Sequence, residues 1–207
     1  MLKKILAAAA FTAVCTGSQA ALAFNNNAAF GGGISNNMTS WVQSDNFTLT
    51  TAANITGGTL WMEAQGGALD WNGVLQYWIF SGGATPSAVL QSGNLTNLTV
   101  TDTGVLAQGG RDNIREVDFD LDVDFAALGG TQYYFGVRAG GNDVAWSGSQ
   151  PGNSMESFDG TFNNWFNNGR ERSFLLNGNA NAVPEPGMLG LVSLGLFAAV
   201  ATRRRKA

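Results

Sequence analysis

Residues 117–125 read VDFDLDVDF, in which Asp118, Asp120, Asp122 and Asp124 alternate without exception with Val117, Phe119, Leu121, Val123 and Phe125. A period of two is the repeat of an extended strand; a helix would scatter these side chains around its circumference. The segment therefore predicts a strand with one acidic and one apolar face, half-buried in a sheet. Apolar-polar alternation returns in WVQSDNFTLT from Trp41, GTLWMEA from Gly58, VLQYWIF from Val74, LTNLTV from Leu95, TQYYFGVRA from Thr131 and RSFLLNG from Arg172.

Between these runs stand Gly-Gly pairs beginning at 57, 66, 82, 109, 129 and 140, expected at chain reversals that need backbone conformations only Gly adopts cheaply. No amphipathic helix interrupts the pattern. Many short strands with regular turn signals predict an all-β fold, a jelly-roll-like antiparallel β-sandwich. No fixed-length repeat is present, which disfavours a β-helix, and a sandwich suits the dense aromatics better than a closed barrel. The sandwich is placed at 41–180, after an Asn- and Gly-rich stretch at 24–40 (FNNNAAFGGGISNNMTS) that reads as a flexible leader.

Both ends depart from this composition. The start, MLKKILAAAAFTAVCTGSQAALA, has Lys3 and Lys4 followed by an apolar stretch from Ile5 to Val14, the layout of a secretory signal peptide over 1–23. Ala21-Leu22-Ala23 offers one cleavage site, and cleavage after Ala20 is the close alternative. The other end, 181–207, contains VPEP, an apolar run from Met188 to Ala201, and Arg203, Arg204, Arg205 and Lys206. As a helix the run is ~24 Å long against a bilayer core of about 30 Å, short for a permanent span. The basic end would stay cytoplasmic, leaving the body outside the inner membrane. Pro184 and Pro186 keep Val183 and Glu185 extended just outside that membrane, accessible to a processing enzyme.

Inventory excludes several chemistries. The chain has no His, and its one Cys, Cys15, lies inside the signal peptide. No catalytic triad, Cys-His nucleophile or ordinary zinc site can be assembled from such a set. Residues 24–183 hold five Arg and no Lys against fourteen Asp and Glu, a net charge of −9, so nucleic acid is not an expected partner.

The order VPEP, short apolar helix, RRR at the extreme C-terminus resembles the PEP-CTERM sorting signal. That resemblance maps onto Pro184, Glu185 and Pro186, with Arg203 to Arg205 as the stop signal. It implies recognition by exosortase, a membrane-embedded cysteine protease of Gram-negative bacteria that removes the tail and passes the protein outward. It also implies a setting of exopolysaccharide, biofilm and floc formation. The body, through WVQSDNFTL and WNGVLQYWIFSGGATPSAVLQSGNLT, is similar to a jelly-roll domain found before such tails, which carries no known active site.

Three constellations carry the remaining candidates. Asp118, Asp120, Asp122 and Asp124 are either a solvated strand face or a Ca²⁺ site. Val123 stands where an EF-hand needs Gly, Gly129 where it needs Glu, and same-face carboxylates on a strand lie about 6.5–7 Å apart. Trp71, Trp146 and Trp165 sit in turn-like surroundings of Asn, Asp and Ser, as carbohydrate-stacking or core-capping rings, whereas Trp41, Trp61 and Trp78 fall in strand patterns and read as core. Glu63, Asp70, Glu116 and Glu156 are the carboxylates from which a glycosidase pair would have to come, and nothing in their spacing marks such a pair. Five N-x-T triplets, at Asn37, Asn46, Asn54, Asn94 and Asn97, read as products of an Asn- and Thr-rich composition.

The expectation is a non-enzymatic exported protein without a resident cofactor. It passes through the inner membrane, meets an exosortase-type protease, and acts at the cell surface or in the extracellular polysaccharide, by a structural or adhesive role or through carbohydrate binding.

Overall fold

The computed structural model describes residues 20–26, 34–64, 68–107, 112–149, 151–157 and 161–180. Thirteen strands account for the regular structure: β1 (Ala21–Asn25), β2 (Ile34–Asn37), β3 (Val42–Thr48), β4 (Ala53–Ala64), β5 (Asp70–Ser81), β6 (Val89–Leu106), β7 (Asn113–Ala127), β8 (Gln132–Asn142), β9 (Val144–Ser149), β10 (Met155–Ser157), β11 (Phe166–Asn167), β12 (Glu171–Arg172) and β13 (Phe174–Ala180). No helix occurs among the described residues, as the period-two pattern requires.

All strand pairs are antiparallel, and the principal order is β1-β13-β4-β7-β6-β5-β8-β3-β10-β11, with β9 joining β4, β2 and β12. The sheet curls because β6 changes partner partway along its 18 residues. Its first part, to Asn94, pairs β5, and from Leu95 onward it pairs β7. Four antiparallel pairs are nested inside one another along the chain: β6 with β7, β5 with β8, β4 with β9, and β3 with β10. The chain thus folds as one long hairpin rolled up, with β3, β5, β8 and β10 in one half and β4, β7, β9 and β13 in the other.

Rings pointing inward from the two halves meet in the middle. Phe119 of β7 stacks on Phe135 of β8 at 5.7 Å and 13°. Trp146 of β9 and Phe174 of β13 approach the same Phe135 ring at 6.1 and 5.7 Å. Phe125 meets Tyr133 edge-on at 5.2 Å. These geometries are the offset and edge-to-face arrangements that the ring quadrupole favours, and aliphatic side chains such as Leu60, Ile79, Val137 and Leu176 fill the spaces around them.

Several expectations need correction. The stretch 24–40 is not simply a leader, since it contributes strand residues at both ends. β1 lies along β13 with Ala21 opposite Gly178, and the Phe24 ring packs between Phe47 and Phe174 at 5.9 and 5.4 Å. β2 pairs β9, and Met38 beyond it is fully buried. Low complexity hid these contacts, because a few scattered apolar residues among Asn and Gly make no periodic signal. The Gly57-Gly58 pair is not a turn either; it lies within β4. A Cβ at Gly57 or Gly58 would collide with the carbonyl oxygens of Phe119 and Leu175 on the two flanking strands, so glycine is required there by close approach rather than by reversal. The pair at 129 does sit at a reversal, with Gly130 at φ +70°.

Candidate functional site

The three tryptophans named above are not brought together. Trp146 is wholly buried in β9, its indole N–H donating to the carbonyl of Ser173 at 2.9 Å, and it cannot stack on a glycan. Its neighbours Ser147 and Gly148 look turn-like in sequence, yet β9 is flanked by β2, β4 and β12 and the small residues permit that crowding. Trp71 opens β5 and leans on the main core, with its indole N–H on the carbonyl of Val74 across a bulge, 2.9 Å away. Trp165 lies at the opposite end of β5, where it meets Phe80, on the order of 25 Å along the strand from Trp71.

Around Trp165 the structure builds a surface groove of about 640 Å³. One wall is the loop Thr85-Pro86-Ser87-Ala88, and the other is Phe162-Asn163-Asn164-Trp165-Phe166. The first wall is pinned by hydrogen bonds back to β5: Ser81 N–H to Ala88 O at 2.9 Å and Ser87 N–H to Ser81 O at 3.2 Å. The Tyr134 hydroxyl adds contacts to the carbonyls of Gly83 and Ala84 at 3.2 and 3.3 Å. In the second wall Phe162 and Trp165 lie nearly parallel, 5.9 Å apart at 12°, and both stand edge-on to Phe80 at 5.1 and 5.2 Å. Phe162 holds a φ of +62°, a conformation rarely taken by a bulky residue. Phe166 is half exposed. Sequence reasoning named Trp165 and missed Phe162 and Phe166, although FNNWF was visible; only the fold sets that segment against 85–88.

Behind this wall lies a buried polar cluster. Gln43 and Asp45 of β3 and Arg172 of β12 have no exposed surface, and Glu156 of β10 has 9%. One Asp45 oxygen accepts the Arg172 backbone N–H at 2.6 Å and the other accepts the Asn46 N–H at 2.8 Å. The Arg172 guanidinium donates to Trp146 O at 3.0 Å and Gln43 Oε1 at 3.4 Å. Gln43 donates to Asn37 O at 2.9 Å and to Glu156 at 3.3 Å, and Asn36 and Asn168 also donate to that Glu156 oxygen. Burial, reinforced by the charge of Glu171, pushes the Asp45 carboxyl up to about 7, against the pull of the two backbone N–H groups and of the Arg172 charge. Burial likewise brings Arg172 down to about 10 and raises Glu171. The cluster ties β10 and β12, and hence the aromatic wall between them, onto the sandwich.

The aspartate ladder keeps the predicted alternation, with all four carboxylates outward and Val117, Phe119, Leu121 and Phe125 inward; Val123 alone breaks the pattern at 63% exposure. It breaks inside a bulge of β7 against β4, where residues 121–124 stand opposite Thr56 alone between the Ile55–Phe125 and Gly57–Asp120 pairs. The carboxylates do not converge. Asp118 accepts the Thr59 hydroxyl at 2.6 Å, Asp120 the Asn97 amide at 2.8 Å, and Asp122 the Tyr77 hydroxyl at 2.7 Å. Among the described residues no three His, Cys, Asp or Glu side chains form a group able to hold a metal ion.

The four carboxylates considered for hydrolysis are similarly dispersed. Asp70 faces Asn142 at 3.0 Å, Glu116 accepts the Trp61 indole N–H at 3.1 Å, Glu63 is buried in β4, and Glu156 belongs to the polar cluster. The groove beside Trp165 and a smaller one beside β1 are both lined without carboxylates.

Among comparisons with known proteins, residues 182–206 match the PEP-CTERM protein-sorting motif. That span contains Val183, Pro184, Glu185, Pro186, Arg203, Arg204 and Arg205, all outside the described residues, as is the apolar run from Met188. No curated protein and no solved structure matches the chain. The motif supports an exported protein that passes through a membrane-held intermediate and is an exosortase substrate, and the described body in front of it is an all-β curled sandwich.

Proposed function

We propose that this chain is a non-enzymatic protein of the cell surface or exopolysaccharide matrix of a Gram-negative bacterium, with a structural or adhesive role in biofilm or floc. The sorting motif at 182–206 carries this reading. Its apolar run acts as a short transmembrane helix that holds the body outside the inner membrane until an exosortase cuts near Val183 to Gly187. The nested strand pairs support a jelly-roll description of the body. Cleavage of the signal peptide after Ala20 is favoured over cleavage after Ala23, because Ala21 and Leu22 open β1 and pair with Gly178 and Asn177. An N-terminal sequence beginning at Ala21 is the expected result, and one beginning at Phe24 would refute that choice.

The sorting step is tested by the intact mass of the protein from the extracellular fraction and from membranes of its host, beside a variant carrying Pro184→Ala and Pro186→Ala. The expected result is a secreted species ending near residues 183–187, with the variant retained at full length in the membrane. Equal full-length retention of both would reduce the tail to an anchor and overturn the sorting.

A further inference from the structure

We infer that the groove between residues 85–88 and 162–166 is a binding site for a neutral glycan strand. The inference rests on the matrix reading only for the source of that glycan.

The lining decides the ligand class. It consists of Thr85, Pro86, Ser87, Ala88, Phe162, Asn163, Asn164, Trp165 and Phe166, with no charged side chain, on a domain whose residues 24–183 carry a net charge of −9. A polyanionic polysaccharide would meet no cation there and would be repelled by the surrounding field. A peptide strand would need an open run of backbone donors and acceptors, whereas the Thr85 wall is closed back on β5 by the Ser81 hydrogen bonds. What the groove offers is aromatic faces flanked by amides and hydroxyls. An uncharged sugar ring presents the complement, a C–H face for the rings and hydroxyls for Asn163, Asn164, Thr85 and Ser87. The volume of about 640 Å³ lies within the usual range for small-ligand sites and suits a short segment of a longer chain.

The aromatic wall is also preorganised by its packing on the cluster around Phe80. Phe162 and Trp165 present nearly parallel rings because both rest edge-on against Phe80, and Phe162 adopts its left-handed φ to reach that position. Strained backbone held in place by surrounding structure is characteristic of ligand clamps. The Trp165 indole N–H is buried and has no acceptor among the described residues, an unmatched donor held within the groove wall. Phe166 leaves half its surface in water beside these rings, an apolar face that a stacked sugar would cover.

The test is affinity electrophoresis of the chain, purified from whichever host fraction contains it, through gels holding hydroxyethyl cellulose, dextran, galactomannan, the host's own neutral matrix polysaccharide, or alginate. Retardation by at least one neutral polymer and none by alginate is expected. Trp165→Ala should weaken that retardation by tenfold or more. Asn164→Ala, which alters only an exposed side chain, should weaken it at least threefold with the melting temperature unchanged, Phe166→Ser at a half-exposed one should also weaken it at least threefold, and Trp71→Ala should leave it intact. Absence of retardation by every neutral polymer, retardation by alginate alone, or retardation insensitive to Phe166→Ser and Asn164→Ala would overturn the site. Because sorting is read from the mass of the tail and binding from the gel, failure of one leaves the other standing.

Discussion

Between the sheets Phe119, Phe135, Trp146 and Phe174 are buried ring against ring; beneath β10 and β12, Gln43, Asp45, Glu156 and Arg172 are buried nearly as completely with carboxylate, amide and guanidinium groups. The two interiors touch, since the Arg172 guanidinium caps the carbonyl of Trp146 itself. They are stabilised by different means. The aromatic interior gains by removing apolar surface from water, a non-directional term that accumulates with area. The polar interior recovers the cost of desolvation only while its hydrogen bonds remain matched, so its stability is conditional on geometry and on protonation. The first makes the sandwich; the second attaches to it the segment that carries the Trp165 groove.

The contrast is sharpest where a single side chain is removed. Phe135→Ala takes away the ring that Phe119, Trp146 and Phe174 share and should cost about 3–5 kcal/mol in denaturant unfolding. A loss below about 1 kcal/mol would mean that the aromatic interior is loosely packed. Arg172→Ala should follow at about 3 kcal/mol, because Gln43 and the Trp146 carbonyl lose a buried donor and Asp45 and Glu156 lose an attracting positive charge. It should also loosen the 155–172 segment to proteolysis before global unfolding, an effect that Phe135→Ala should not show separately.

Acidity distinguishes the two interiors next. With its carboxyl held near 7 in the fold and near 4 when unfolded, Asp45 binds a proton in the native state that the unfolded chain releases between those values. Its contribution is therefore fully present below about pH 4 and is lost as pH rises through 7. Glu171, also raised, acts in the same direction, while the depressed Arg172 matters only near pH 10 and above. Stability should fall by about 3 kcal/mol from pH 5 to pH 8 through Asp45, and Asp45→Asn should flatten that slope. An unchanged slope in Asp45→Asn would assign the dependence elsewhere. The smallest effect belongs outside both interiors: Val123→Thr, in the bulge of β7, should change stability by less than about 0.5 kcal/mol.

The aromatic half of this comparison was visible in the chain. VDFDLDVDF, VLQYWIF and TQYYFGVRA each announce which side chains face inward, because the strand repeat imposes the answer locally. Trp61, read as core, is buried beside Ile114, whereas Trp78 is only partly buried, against Phe162 and the small cluster around Phe80 rather than in the main core. The polar half left no such trace. Asp45 and Gln43 stand in WVQSDNFTLT where alternation gives no sign that both will be enclosed, and Arg172, 127 positions further on, carries no sequence mark of partnership with Asp45.

What the sequence determined by itself was whatever depends on neighbours a few residues apart. That includes the strand-forming alternation, the apolar ends, the Pro184-Glu185-Pro186 segment ahead of its arginines, and the exclusion of His and Cys chemistry. Only the tertiary structure decided which tryptophan faces water, that β1 belongs to the sheet, that Gly57 is crowded rather than bent, and that 85–88 and 162–166 form one groove. Each of these depends on strands brought together from distant parts of the chain, and the enthalpic and steric terms that select such pairings act through space rather than along the sequence.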